Sequence, residues 1–269
     1  METKIISLYK GEVKIKCITL KMMGDKEIHW FEHLDDRKID GVTSISGLLD
    51  KSAAMAGWAA KMVALYLIKN WDIKKVRTEE EKLALIERAK KEYRRISMEA
   101  ANIGKDVHRL AEDWIKGKEV ILPDNEKVVN GYTAFLKWIQ GNKKLKIKNS
   151  EKIVYSRKYD YAGIMDWDGS EGKELIMGDF KTSSGIYNDM LYQVAAYWQA
   201  REEELGIEYS RGYIVQFEKE TGNFDSEKNV LEISRQDYKK NFKAFLGLRR
   251  TKTRENELKR IWKQKNNNY

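Results

Sequence analysis

The sequence predicts an α/β fold in which one mixed sheet is flanked by helices. Helical periodicity dominates from about residue 44 to residue 140, whereas strand-like segments prevail after about residue 150. In this second half, three largely antiparallel strands are followed by a helix and another strand. Apolar strands and amphipathic helices in that order bury their apolar faces by packing against each other.

The individual elements follow from periodicity and turn residues, and the single proline, Pro123, marks few boundaries. Two segments rich in β-branched and aromatic residues predict a small hairpin layer, over residues 13–20 and 28–33. Apolar residues at helical spacing predict helices over residues 44–50, 52–69, 78–98, 104–116 and 125–140. Strands are predicted over residues 152–156, 160–166 and 174–181, then a helix over 188–205 and strands over 209–217 and 230–233.

The elements group into four segments that we expect to form one compact domain. They are an N-terminal β-hairpin layer (1–41), a helical region (42–140), an α/β core (141–234) and a basic helical tail (235–269). A chain of 269 residues with 42% hydrophobic content is long enough to bury a substantial core.

Composition excludes several classes of protein and of site. The longest apolar stretch, residues 53–68, is interrupted by Lys61 and is too short to cross a bilayer. The N-terminus lacks the apolar segment of a signal peptide, so we expect a cytoplasmic protein with no membrane partner. The only cysteine, Cys17, excludes an intramolecular disulfide and a four-cysteine zinc or iron-sulfur site made by this chain alone. Any bound metal would therefore have oxygen and imidazole ligands.

The positive charge is concentrated at the C-terminus. Residues 235–269 contain twelve Lys and Arg against three Asp and Glu, an excess that equals the whole net charge of +9. Apolar residues at helical spacing in this segment predict helices with a cationic outer face, which suits a phosphate backbone. The alternative is an ordinary solvated helix face.

An Asp-x-Lys pattern occurs four times, and only its context distinguishes the copies. The copy at Asp179 ends a continuous apolar run, and it follows another acid at the end of a strand, Asp166, across a glycine-containing turn. Because side chains alternate along a strand, Asp179 and Lys181 share one face while Phe180 packs on the other. A carboxylate for a divalent cation thus lies beside a lysine that meets developing negative charge. The alternative is an exposed ion pair at a hairpin edge.

Two helices carry further polar pairs at i, i+4 spacing, which places each pair on one helical face. Gln193 and Tyr197 lie on the helix after the Asp179 strand, and His108 and Glu112 lie on the helix over residues 104–116. Either His108 or Glu112 could reach a metal. Taken singly, such residues are as often structural or solvated.

At these residues the sequence resembles the RecB-like nucleases of the PD-(D/E)xK superfamily. The resemblance is greatest to the small phage forms and to the mitochondrial genome-maintenance exonucleases, and it spans roughly residues 42–217. Five signals match in order: Val42-Thr43-Ser44-Ile45 with Trp58-Ala59-Ala60, Gly104 to His108, Gly163-Ile164-Met165-Asp166, Asp179-Phe180-Lys181-Thr182, and Gln193-x-x-x-Tyr197. The proline of the superfamily name is absent, since Met165 precedes Asp166. The hairpin layer and the basic tail lie outside the resemblance.

The resemblance implies a restriction-endonuclease-like PD-(D/E)xK core with an N-terminal helical region and basic C-terminal helices. It implies that metal is bound by His108, Asp166 and Asp179 and by the carbonyl of Phe180. Lys181 would orient or activate water and stabilise the transition state. The supporting residues would be Gln193 and Tyr197, which help hold the substrate and the lysine, together with Thr182 and, as a further candidate, Glu112.

The function implied is hydrolysis of DNA with one or two Mg2+ or Mn2+ ions and no iron-sulfur cluster. We expect an exonuclease that acts on DNA ends, with single-stranded ends as a candidate substrate, in recombination, replication or repair, and with proteins of those pathways as candidate partners. For the nucleic-acid contacts we expect Ser44, Arg249, Arg250, Lys252 and Arg254. The alternatives are a structure-specific endonuclease, an RNA-directed nuclease, and an inactive DNA-binding or assembly module. Digestion polarity and oligomeric state are not indicated by the sequence.

Several aromatic residues near these motifs offer surfaces on which bases could stack. They are Trp58, Tyr155, Tyr159, Tyr161 and Trp167. For most of them burial in the core is the favoured interpretation, because a globular chain buries most of its large aromatic side chains.

Overall fold

The computed structural model describes residues 1–21, 27–72, 75 and 78–266, and it has an α/β fold with a mixed sheet flanked by helices. The strands are β1 (Glu2–Leu8), β2 (Val13–Lys21), β3 (Glu27–His33), β4 (Lys38–Gly41), β5 (Leu145–Ser156), β6 (Tyr161–Glu171), β7 (Glu174–Lys181), β8 (Arg211–Gln216) and β9 (Val230–Ser234). The helices are α1 (Val42–Ser46), α2 (Ser52–Asn70), α3 (Glu79–Ile115), α4 (Glu126–Gly141), α5 (Asn188–Leu205), α6 (Ser226–Asn229) and α7 (Arg235–Asn266). Among the described helices, none is both long and apolar enough to cross a membrane.

The sheet runs in the order β1-β2-β3-β4-β6-β7-β8-β9. Strand β5 lies off this path and pairs with β6 along the edge opposite to the one that β4 and β7 share. Strands β5 and β7 each pair antiparallel with β6, as predicted, while β4 is parallel to β6 and β8 is parallel to β7. The hairpin layer is therefore not a separate sheet, because β4 joins it to the core.

Aromatic side chains fill the core on both faces of the sheet. On one face, α5 and α7 pack through Trp198, Tyr238 and Phe245, and Trp198 stacks on Tyr238 with ring centroids 4.3 Å apart. On the other face, Trp138 of α4 contacts Phe180 at 5.4 Å between centroids. Three of the aromatic residues considered for base stacking, Tyr155, Tyr161 and Trp167, are buried in the core, as the favoured interpretation predicted.

The chain divides into two compact units. One comprises Met1–Leu49 and Asp106–Tyr269, and the other comprises Asp50–Lys105. Within the smaller unit, α2 has no fully buried residue and its Trp58 packs edge-on against Tyr93. The expected division into segments at residues 41, 140 and 234 does not follow this boundary, because the helical region contributes to both units.

Several predicted boundaries are wrong, among them the start of β5, which is Leu145 and not Lys152. The helices predicted over residues 78–98 and 104–116 are one helix, α3, because Gly104 costs a helix only about 1 kcal/mol and no proline interrupts the segment. Strand β6 continues past Asp166 to Glu171, and the turn falls at Gly172, whose φ of 60° suits glycine. The basic C-terminal helices are the single helix α7.

The sequence prediction missed two strands, β1 and β4, and misplaced the start of α1. The edge strand β1 is largely exposed and lacks the alternation that reveals a half-buried strand, and β4 has only four residues. The helix predicted over residues 44–50 is α1, which begins earlier at Val42 and ends at Ser46.

Candidate functional site

The candidate site lies at a fork, which is the point where β6 and β7 stop pairing and separate. The two strands pair from the turn as far as Trp167 and Gly178, and their ladder ends there. Beyond this point the carboxylate of Asp166 accepts a hydrogen bond from the backbone N–H of Phe180 at 2.6 Å. On the same edge, β4 pairs with β6 only at Tyr161 and Ala162. Asp166 therefore lies where the sheet opens, and not at the end of its strand.

Five charged or titratable side chains converge at this fork. Nδ1 of His108, on α3, lies 3.6 Å from Oδ2 of Asp166 and 3.9 Å from Oε1 of Glu151. One ligand atom from each of these three residues lies within 4.8 Å of the other two. Asp179 and Lys181, on β7, form an ion pair. The negative charge of Asp166 acts on Asp179 and raises its pKa.

The alternation of side chains along β7 separates the polar site from the core, as the sequence predicts. Asp179 and Lys181 face the fork, while Phe180 packs among Phe135, Trp138 and Trp167 on the opposite side. The imidazole of His108 also contacts the Phe180 ring edge-on, with centroids 6.2 Å apart. The aromatic cluster thus supports both β7 and the histidine.

Glu151 is a member of the cluster that sequence reasoning missed. It lies on β5 between Ser150 and Lys152, which pair with Trp167 and Met165, so the register sets Glu151 opposite Asp166. Its backbone has a φ of 50°, which is uncommon for a residue other than glycine. The predicted strand began one residue later, at Lys152, and an acid beside a lysine in such a charged segment carries no distinctive signal.

Burial and nearby charges govern the ionisation of the two aspartates. Burial raises the pKa of Asp179 to about 6, and Asp166 adds to the rise while Lys181 opposes it. Burial likewise raises the pKa of Asp166, against the influence of His108 and Lys181. The pKa of Lys181 is also raised, since burial lowers it but Asp179 and Asp166 outweigh that effect. Lys181 therefore stays an ammonium ion beside the carboxylates.

Gln193 fixes the position of the lysine. Its Oε1 accepts a hydrogen bond from Nζ of Lys181 at 3.4 Å, and its Nε2 donates to Oγ of Ser46 at 3.1 Å. Ser46 donates in turn to the carbonyl of Thr43 in α1. Through the buried amide of Gln193, α5 thus connects Lys181 of β7 to α1.

Tyr197 lies one helical turn beyond Gln193, over the open edge of β6. The ring needs Gly163 beneath it, because a Cβ at that position would lie 2.6 Å from Cε1 of Tyr197. Burial raises the pKa of Tyr197 well above its usual value, and Asp179, Asp166 and Glu151 raise it further. The phenol therefore stays neutral beside the three carboxylates.

The other predicted residues lie outside this cluster. Glu112 forms an ion pair with Lys116 on α3, and Thr182 is half-buried just after β7. Ser44, Arg249 and Lys252 line a groove next to the site, whereas Arg254 pairs with Glu257 at 2.9 Å. Arg250 is exposed and does not line that groove.

The donor set fits a divalent cation. Carboxylate oxygens and one imidazole are ligands that Mg2+ and Mn2+ accept. Three carboxylates, from Glu151, Asp166 and Asp179, face the single ammonium of Lys181, which leaves an excess of two negative charges when His108 is neutral. Within the described part of the chain, the buried Oδ2 of Asp179 accepts no well-aligned hydrogen bond despite its ion pair. A divalent ion held among these carboxylates would balance their excess negative charge.

Comparisons with family models and with curated proteins give no basis for transferring a function. No protein-family model matches the sequence, and no curated protein is significantly similar to it.

Proposed function

We propose that this chain is a metal-dependent deoxyribonuclease. The observation that carries the proposal is the convergence of His108, Glu151 and Asp166 within 4.8 Å at a fork whose other strand holds the Asp179–Lys181 ion pair. Clustered acids beside a lysine are suited to phosphodiester hydrolysis, in which negative charge develops on the phosphate oxygens.

In this proposal, His108, Asp166 and Asp179 hold the ion together with the carbonyl of Phe180. Glu151 joins them, because its Oε1 lies 3.9 Å from Nδ1 of His108, close enough for both atoms to coordinate one ion. A Mg2+ or Mn2+ ion held by these residues would neutralise the scissile phosphate and lower the cost of forming hydroxide.

The remaining groups act on the substrate through charge and position. Lys181 stabilises the negative charge that develops on the phosphate, because its neighbours keep it protonated. Gln193 holds that ammonium in place through the 3.4 Å hydrogen bond. The neutral phenol of Tyr197 is a donor at the open edge of β6, and Thr182 supports the end of β7.

The order of elements around the site supports a PD-(D/E)xK core. Three antiparallel strands, β5 to β7, are followed by α5 and by β8, which is parallel to β7. The two acids and the lysine lie on the second and third strands of that unit. The family assignment rests on this arrangement together with the motifs in the sequence.

We propose DNA ends as the substrate, in recombination, replication or repair. A time course on end-labelled linear single-stranded and duplex DNA with Mg2+, Mn2+ or EDTA tests activity, metal requirement and polarity together. We expect cleavage with either ion and none in EDTA. A covalently closed circle should stay intact if the enzyme needs an end, and nicking of the circle would favour a structure-specific endonuclease. Digestion of RNA strands of the same sequence in parallel tests whether the enzyme requires deoxyribose.

A non-catalytic DNA-binding module is the second candidate, and the charged groove beside the site favours it. Such a module would bind DNA without a metal and would leave it uncut. Failure of Mg2+ and Mn2+ to support any cleavage, with DNA binding intact in EDTA, would select this alternative.

A further inference from the structure

A wide groove runs beside the cluster, between the hairpin layer and the C-terminal helix. It has a volume of about 1090 Å³, and its walls are β3, β4, the start of β6 and one face of α7. The cationic side chains that line it along with Arg249 are Arg37, Lys38, Lys252, Lys259, Arg260 and Lys263. Both main walls come from segments outside residues 42–217, where the nuclease motifs lie.

The spacing of residues on α7 directs these cations into the groove. Arg249, Lys252, Asn256, Lys259 and Lys263 follow one another at three or four residues, so they lie on one helical face. Two contacts hold that face against the sheet. Nδ2 of Asn256 donates to Oδ1 of Asp40 at 3.2 Å, and a guanidinium nitrogen of Arg249 donates to the carbonyl of Asp160 at 3.4 Å.

The acids in the groove are already engaged within the protein. Oδ1 of Asp160 accepts hydrogen bonds from Tyr155 and contacts His33, both within 2.9 Å. Glu257 pairs with Arg254, and Asp40 accepts the Asn256 amide. By contrast, the structure as described gives no ion pair to a second set of groove side chains. These are Lys38, Lys252, Lys259, Arg260 and Lys263, on both walls.

The groove reaches the candidate site through Tyr197 and Gly163, which line it at its inner end. The phenol of Tyr197 senses the charges of Asp179, Asp166 and Glu151, so its hydroxyl lies near both regions. A polyanion held along α7 would therefore pass the open edge of β6, next to the carboxylate cluster.

We infer that this groove binds the phosphate backbone of single-stranded DNA and leads the strand past Tyr197 to the cluster. Uncompensated cations along one helical face suit a chain of phosphates and need no particular base sequence. The inference rests on the proposed nuclease function for the fate of the strand, while the binding itself depends only on the groove.

Salt-dependent binding measures the groove directly. Fluorescence anisotropy of a labelled oligothymidylate in EDTA compares wild type with the pair Lys259→Gln/Lys263→Gln. The matched control is Lys239→Gln/Lys243→Gln, an exposed pair with the same spacing on α7 that does not line the groove. We expect the slope of log affinity against log salt to fall by roughly 1.4 in the groove pair, at about 0.7 per phosphate contact. The control pair should keep the wild-type slope, and thermal melting should show that both variants are folded.

Equal slopes for both pairs, or no binding by the wild type, would overturn the inference. Stronger loss on matched duplex than on the single strand would overturn the assignment to single strands. Hydrolysis of a small phosphodiester, bis(p-nitrophenyl) phosphate, with Mn2+ reports the cluster without filling the groove. If the small phosphodiester is hydrolysed and the salt slopes of the two variant pairs are equal, DNA binding by the groove is refuted and the nuclease proposal stands. If the small phosphodiester is not hydrolysed and the salt slope of the groove pair is reduced, the nuclease proposal is refuted and DNA binding by the groove stands.

Discussion

At the scale of single residues, Lys181 is held by partners on three sides. It forms an ion pair with Asp179, donates to Gln193 and senses the charge of Asp166. These interactions keep an ammonium ion where a phosphate would meet the acids. The sequence predicted Asp166, Asp179, Lys181 and His108 as candidates because their spacing within strands and helices is local. It missed Glu151, because the pairing register of β5 with β6 decides that position.

Replacing Lys181 tests its electrostatic role. Lys181→Ala should lower the cleavage rate by about 100- to 1,000-fold, the usual cost of losing one donor to a developing oxyanion. Binding of single-stranded DNA in EDTA should persist, because the groove cations remain. Lys173→Ala, in the exposed turn between β6 and β7, is the control and should cleave normally. A Lys181→Ala enzyme with wild-type turnover would exclude this role.

Gly163 is a second residue whose size matters. Gly163→Ala would place a Cβ 2.6 Å from Cε1 of Tyr197 and 3.1 Å from Cγ2 of Val42, so one of them must move. We expect the free energy of unfolding to fall by about 1–3 kcal/mol, as for other overpacked sites. Thermal and urea denaturation measure the change. Gly141→Ala, with no neighbouring atom within 4 Å of its added Cβ, should not destabilise. Equal stability of the two variants would show that the ring does not need the glycine.

At the scale of elements, local patterns predicted some bounds well and others poorly. Strand β7 and helix α5 have the predicted bounds, because a continuous apolar run and an amphipathic repeat mark them. Strands β1 and β4 escaped prediction, since one is an exposed edge strand and the other is stabilised by its pairing with β6. The end of β6 depends on pairing with both β5 and β7, which no local signal encodes.

Strand β5 carries a strained residue at the site. Glu151 adopts a φ of 50°, which costs an ordinary residue about 1–2 kcal/mol and costs asparagine less. Glu151→Asn should therefore stabilise the ion-free protein by about 1 kcal/mol and weaken Mn2+ binding through loss of the carboxylate. Denaturation and calorimetric titration measure the two effects. Glu119→Asn, in an exposed loop, should change neither property. Tighter Mn2+ binding by Glu151→Asn would contradict the placement of this carboxylate at the ion.

At the scale of the whole molecule, contacts between residues far apart in the sequence form the groove, which the sequence alone did not predict. The contact between Asn256 and Asp40 spans 216 residues, and it brings a basic helix to the hairpin layer. The sequence predicted a cationic C-terminal helix for nucleic acid but not which of its faces lines a groove. Arg249 and Lys252 lie on that face, whereas Arg250 does not.

The ionisation of Asp179 should make the binding of a divalent cation depend on pH. The pKa of Asp179 is raised to about 6 in the ion-free fold, so its protonated form is favoured by folding. Its contribution to stability is therefore full at low pH and is lost as the pH rises through about 6, while a cation needs the carboxylate form. The rise in melting temperature caused by Mn2+ should be small near about pH 5 and larger near about pH 7.5. A Mn2+ effect that shrinks as pH rises would contradict this coupling.

We propose that the acids at the β6–β7 fork hold a divalent ion with which the protein cleaves DNA. Cleavage of an end-labelled single strand by wild type and by Asp179→Asn, each with Mn2+ or EDTA, tests it most directly. We expect the wild type to cleave only with Mn2+, and Asp179→Asn to bind the strand without cutting it. Equal cleavage by both proteins, or cleavage in EDTA, would contradict the claim.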